Sequence, residues 1–226
     1  CFPKKTENSG VLRFAAVFSN CGFIGLPIMA SLFPGNNDIL MFAAVYITVF
    51  NILIWTLGIY LITGDKKYIS VKKAFLNPNS VAFIVGFILY VSGSNIAGSE
   101  SEVVSSLYYV IEALASMTAP VSMIVAGMRL GTMSLKETFS GGRTYLAAAF
   151  KLVAAPLITL LLLLPFVNIL NENIIFALII AMAMPTATAC VSFCNIFGAD
   201  DKEATKITLV TTVLCIVTIP LIILLV

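Results

Sequence analysis

The chain is predicted to be an all-α integral membrane protein, on three features of its sequence. It is very apolar, its charges fall into a few short clusters, and two of the long uncharged stretches carry helix breakers near their centres. Of 226 residues, 60% are hydrophobic and 11% charged, with a mean hydropathy of +1.04. A soluble domain carries about a quarter charged residues.

Cutting the sequence at its charges leaves seven candidate spans, at 14–37, 39–64, 74–99, 113–128, 152–171, 173–199 and 207–226. Six hold at least 20 uncharged residues, close to the ~20 needed to cross ~30 Å of hydrocarbon. The short one reaches that length if it extends back through Glu112 to about Val103. As helices with their flanks, the expected elements are a broken helix over 13–35 and a straight helix over 38–63. A basic linker over 64–78 follows, with a turn at Asn77-Pro78-Asn79. Then come helices over 79–98, 103–131 and 144–168, a second broken helix over 172–197, and a last helix over 204–226.

Lysine and arginine set the direction of each span. Lys4, Lys5 and Arg13 precede the first span, Lys66, Lys67, Lys72 and Lys73 the third, and Arg129, Lys136 and Arg143 the fifth. Lys151 lies about two turns into the fifth, and Lys202 and Lys206 precede the seventh. All 13 basic residues therefore fall on one side of an alternating topology, while the opposite loops hold Asp38, Glu100, Glu102 and Glu172. The expected location is the cell membrane, with the start of the chain cytoplasmic and Val226 on the outer side.

The first interruption reads Asn20-Cys21-Gly22-Phe23-Ile24-Gly25-Leu26-Pro27, and the second Met184-Pro185-Thr186-Ala187-Thr188-Ala189-Cys190. Unpaired backbone groups at bilayer depth are tolerated only where protein or a polar cavity satisfies them. A matched pair of broken segments is a sequence pointer to a transporter binding site. A half-helix start offers unpaired N–H donors and roughly +0.5 of a charge, which suits a carboxylate. The expected site is therefore an anion held by backbone N–H groups around 22–27 and 185–189, oriented by Asn20, Thr186 and Thr188. Gly22, Gly25, Pro27 and Pro185 shape the backbone there. Asn51 in the second span is a further candidate ligand. Glu112, the one acid inside a span, is a candidate for proton coupling. Thr211 and Thr212 read as packing residues, Lys151 as a lysine snorkelling to the cytoplasmic interface, and Arg129 as a helix-end marker. Kinks are expected at Pro156, Pro165 and Pro220.

Residues 20–62 and 184–226 share a plan: a broken span, a short loop opening at a glycine, and a straight span. Aligning Gly35 with Gly198 sets Gly22 against Pro185. The two broken spans run in opposite directions by the charge count, so the relation is an inverted repeat. Residues 79–226 then form a five-span second repeat, and 1–63 the last two spans of a first one. Three upstream helices would complete an expected ten.

These residues resemble the auxin efflux carrier family, which includes plant exporters and bacterial malate permeases. The likeness rests on Asn20, Gly25 and Pro27, on Ala119-Pro120 with Gly127-Met128-Arg129-Leu130, on Lys151 and Pro156, and on Met184-Pro185, Thr212 and Ile219-Pro220. Where the family more often has arginine, this chain has Lys151. The resemblance implies ten helices in two inverted repeats, a scaffold and a mobile transport domain whose broken helices cross, and small organic anions as substrates. Sodium/bile-acid symporters and sodium/proton antiporters are similar in architecture.

The implied function is secondary transport of small organic anions such as carboxylates by alternating access. The alternatives are a sodium-coupled anion symporter and a non-transporting membrane sensor. No enzyme is expected, since no nucleophile–base pair, metal set or phosphate loop is seen. With no histidine, His-based catalysis and His-containing metal sites are excluded. The five cysteines show no zinc spacing and suggest no disulfide. No cofactor and no nucleic-acid partner is expected. The partners are the organic anion and the bilayer, and a homodimer is compatible with the sequence.

Overall fold

The computed structural model describes residues 9–69, 72, 75–76, 78–92, 101–117, 120–121, 124, 128, 131 and 138–225. Within them the chain forms α1 (Ser9–Val17), α2 (Cys21–Leu32), α3 (Asn37–Thr63), α4 (Pro78–Val91), α5 (Glu102–Ser116), α6 (Gly142–Phe166), α7 (Glu172–Ala183), α8 (Ala189–Phe197) and α9 (Asp201–Ile223). Three of these, α3, α6 and α9, are long and apolar enough to cross a membrane as single helices. The two broken spans are built from half-helices, α1 with α2 and α7 with α8. Of the remaining expected spans, 79–98 is seen as α4 and the first part of 103–131 as α5. Ala119, Gly127, Arg129 and Leu130 lie outside the described residues, as do Cys1, Lys4, Lys5 and Asn77.

Helix starts are capped where the sequence supplies short polar side chains. The Asn36 side chain accepts from Ile39 N at 3.3 Å to open α3, Asn171 accepts from Asn173 N at 2.8 Å to open α7, and Asp200 accepts from Glu203 N at 2.9 Å to open α9. Each satisfies one of the donors a helix start leaves without a partner. Gly35 and Gly198 both take positive φ, 80° and 70°, a conformation that costs a side chain-bearing residue. Thus each broken segment ends at a left-handed glycine, and a capped straight helix follows within three residues. The two glycines are those the internal repeat aligns.

Asn36 Nδ2 donates to Asn173 Oδ1 at 2.8 Å, joining the starts of α3 and α7. Thr144 Oγ1 donates to Glu203 Oε1 at 3.1 Å, joining the starts of α6 and α9. The starts of α3 and α7 thus lie side by side, as do those of α6 and α9. Within the apolar spans, Thr48, Thr56, Thr159, Thr208 and Thr212 turn their hydroxyls onto the carbonyl four residues earlier. In hydrocarbon this satisfies the hydroxyl inside its own helix.

The prolines act more gently than expected. Pro27 follows a π-turn at Cys21–Gly25, and Pro156 follows another at Phe150–Ala154. A proline donates no hydrogen bond to the carbonyl four residues back and crowds it. Widening the preceding turn relieves both problems without ending the helix. Pro165 sits in a 3-10 turn at Leu164–Phe166 that ends α6, and α9 continues through Pro220.

The core gathers around the crossing of the two broken segments. Phe14, Phe18, Met29, Ile180, Met184, Cys190, Cys194 and Ile207 are almost fully buried there. A run of rings wraps it: Phe18 meets Phe14 at 4.7 Å and Phe50 at 5.1 Å, and Phe50 stacks on Tyr46 at 5.3 Å. Phe193 meets Phe14 at 6.0 Å and Trp55 at 5.1 Å. Gly58 on α3 faces this cluster; a Cβ there would lie 2.7 Å from the Phe14 ring.

Candidate functional site

The two unwound stretches cross and pair. Between α1 and α2 the chain is non-helical at 18–20, and between α7 and α8 at 184–188. Ser19 and Thr186 form an antiparallel bridge, in which Asn20 N donates to Pro185 O at 2.7 Å and Ala187 N to Phe18 O at 2.9 Å. The second break has a local cause. A residue before proline is pushed out of helical geometry, and Met184 is extended at φ −66°, ψ 151° ahead of Pro185. No proline follows the first break closely, and its extended backbone is held by the bridge itself.

Side chains complete the crossing. Thr186, fully buried, donates its hydroxyl to Ala15 O at 3.0 Å, one of the carbonyls left over at the end of α1. Its own N–H donates to Thr211 Oγ1 at 3.2 Å. Lys151 reaches in from α6. It too is fully buried, donating to Ser19 Oγ and, at 3.4 Å, to Met182 O in the last turn of α7.

Several expectations change here. The chain is non-helical at 18–20, at the front edge of the expected interruption over 20–27. Cys21–Gly25 form a π-turn that makes Gly22 and Gly25 helical, and regular α-helix runs from Leu26 with Pro27 in its first turn, as expected. Gly25 is a packing residue: a Cβ there would come 3.1 Å from Met184 Cγ. The backbone donors of Asn20, Thr186 and Ala187 are used by the crossing itself, so the free donors must come from the half-helix starts beyond it. Lys151 does not snorkel. Nine residues into α6, it lies about 13 Å along the helix at 1.5 Å per residue, and it is fully buried. Its four-carbon stem turns inward instead.

The two second half-helices begin at opposite ends of the bridge, α2 beyond Asn20 beside Pro185 and α8 beyond Ala187 beside Phe18. Gly22 in the first turn of α2 is partly exposed, and the space around its Cβ position is open to Ile47 at 4.0 Å. Thr188 at the start of α8 is half-buried and makes no capping bond with its hydroxyl. Asn20 is 6% exposed and its side chain does not cap α2. Asn20 and Gly22 stand at the Pro185 end of the bridge and Thr188 at its other end, beyond Ala187. Asn51 is half-buried in α3 beside Phe50, which packs on Phe18, but makes no hydrogen bond to the crossing. Glu112 is exposed on α5, a helix with no buried residue, and the structure does not bring it to the crossing.

Sequence reasoning missed Ser19 and misjudged Lys151, while Thr211 is the packing residue expected, receiving the Thr186 N–H. For Lys151 a signal was present: Arg143 marks the start of the span, and a lysine eight residues further in is too deep for its stem to regain the interface.

No curated protein matches the chain. The family model described as membrane transport protein matches residues 1–223. The chain therefore belongs to this family of membrane transporters, that of the auxin efflux carriers.

Proposed function

We propose that the protein moves small organic anions, carboxylates such as malate among them, across the cell membrane by alternating access. The observation that carries this reading is the paired crossing of two unwound segments with a buried ammonium against it. The second half-helices, α2 and α8, start at that crossing, and a helix start favours an anion through its free N–H groups and positive dipole end. The anion would span the crossing, from the first turn of α2, where Asn20 orients it and Gly22 leaves room, to the first turn of α8, where Thr188 meets it. Pro185, Thr186 and Gly25 serve by building the crossing, and Asn51 and Glu112 have supporting parts at most.

The same reading includes seven spans in this chain, a ten-helix inverted repeat in the intact carrier, and a cytoplasmic start. The transport unit would comprise 1–63 and 144–226, moving against helices within 79–131. Export of a monoanion from a negative-inside cell is favoured by about 2.3 kcal/mol per 100 mV, so no coupling ion is required energetically. The test is flux of radiolabelled malate and other carboxylates in proteoliposomes holding the full-length protein, under an imposed potential. Substrate-dependent flux that follows the potential is expected. Absence of carboxylate flux in any gradient refutes the reading.

A further inference from the structure

Lys151 has a role beyond lending charge to a binding site. Its two acceptors belong to the first halves of the two broken segments. Ser19 follows the C-terminal end of α1, and Met182 lies in the last turn of α7. Each helix end has carbonyls without intrahelical partners and about half a negative charge. The starts of α2 and α8 at the same crossing carry the opposite half-charges, so the ammonium answers the two carbonyl-bearing ends locally, through its bonds to Ser19 and Met182, and not a net charge of the crossing. A hydroxyl and a main-chain carbonyl at helix C-terminal ends are also the donor types that hold a free monovalent cation at the middle of broken-helix carriers.

We propose that Lys151 is a tethered cation standing where a free coupling cation would otherwise be held, so that anion movement by this protein is independent of sodium and potassium. Removing the ammonium opens the place to a small cation from solution. This inference rests on the crossing being the carrier site.

The experiment is thermal unfolding of the purified full-length protein, followed with a thiol-reactive dye. Cys21, Cys190, Cys194 and Cys215 are free and buried and react only on unfolding. Sodium, potassium and ethylammonium chlorides are compared with N-methylglucamine chloride at equal ionic strength. The wild-type midpoint is expected to be the same in all four salts. Lys151→Ala is expected to melt lower and to regain at least half of the loss, saturably, with sodium or ethylammonium. Lys151→Met, whose side chain fills the same space without charge, is expected to melt lower and ignore every cation. A Lys151→Ala protein blind to all cations overturns the proposal, as does saturable stabilisation of the wild type by sodium or potassium. If Lys151→Ala cannot be purified folded, Lys151→Met decides: a midpoint below wild type supports the tethered cation, and one equal to it or higher overturns it. No substrate enters these measurements. Failure of carboxylate flux alongside the expected cation responses rejects only the transport reading, and flux with a cation-blind Lys151→Ala rejects only the tethered cation.

Discussion

Thr186→Val separates the structural from the binding hydroxyls at the crossing. The substitution keeps the side chain's shape and removes one donor, the hydroxyl that serves Ala15 O at 3.0 Å. Thr186 N still reaches Thr211, and the two bridge bonds at 2.7 and 2.9 Å are untouched, so the crossing stays formed. What is lost is the partner of a buried carbonyl. A buried acceptor without a partner costs about 1–3 kcal/mol, while measured hydrogen bonds between membrane helices average about 0.6 and reach about 1.7. The expected loss is therefore about 1–2 kcal/mol. At about 2–4 °C per kcal/mol for a chain of this size, the unfolding midpoint should fall by about 2–8 °C. Thr188→Val removes a hydroxyl that makes no capping bond, so its midpoint should move by no more than about 0.5 kcal/mol of stability. Its effect should appear in carboxylate uptake. A hydrogen bond to a charged group is worth about 1.5–3 kcal/mol, which is about tenfold or more in KM at 1.4 kcal/mol per decade. Thermal unfolding and proteoliposome uptake on both variants check this. A Thr186→Val protein as stable as wild type, or a Thr188→Val protein equally destabilised, refutes the assignment.

Gly58→Ala should destabilise by about 1–3 kcal/mol, because the new Cβ meets Phe14 at 2.7 Å and Phe18 at 3.3 Å within a closed set of rings. Gly22→Ala should melt as wild type, since its Cβ meets nothing nearer than 4.0 Å, yet weaken carboxylate uptake by filling the space beside the first turn of α2. Near the membrane surface, Asp65 accepts from Lys67 N at 2.9 Å and pairs with Lys67 Nζ at 3.1 Å, and its carboxyl is held below the usual range chiefly by that backbone N–H. A depressed carboxyl contributes above its unfolded pKa of about 3.9, and the contribution fades as pH falls through the lowered value. Protection of the Lys67 amide from hydrogen exchange, corrected for intrinsic rate, should fall in that acid range, and in Asp65→Asn it should show no such step. Single cysteines at Asn171 and Lys202, with Cys1 replaced, test orientation: an impermeant maleimide on intact cells should label position 171 and spare 202.

The fold was legible in the sequence wherever a single residue decides the backbone. Pro185 dictates an extended Met184, so the second break fell where expected. Gly35 and Gly198 announced their turns. At the first break, Pro27 marked the first turn of regular α-helix from Leu26, but the opening itself reaches back to Ser19, an ordinary helix residue by propensity. That opening is a tertiary effect: it exists because 18–20 pairs with 185–187, some 165 residues away in the chain. The inward turn of Lys151 is of the same kind. Its depth could be counted from Arg143, but its acceptors belong to two other helices, and no local pattern in α6 names them.

The bonds at the crossing also say which helices can move together. The bridge ties α1 and α2 to α7 and α8, Thr186 ties α7 to α1 and to α9, and Lys151 ties α6 to both broken segments. Each of these bonds is buried, where water cannot replace it and breaking it leaves polar groups unpaired. Six elements are so joined, and sliding any one of them past the others costs at least one such bond. By contrast, α5 buries none of its residues, and α4 meets α3 along an apolar helix. Contacts of packed side chains without hydrogen bonds between the faces are the kind along which helices shift. A carrier that exposes one mid-membrane site to each side in turn needs such a boundary. In the proposed carrier that boundary would fall on the side of α5, the helix that buries none of its residues.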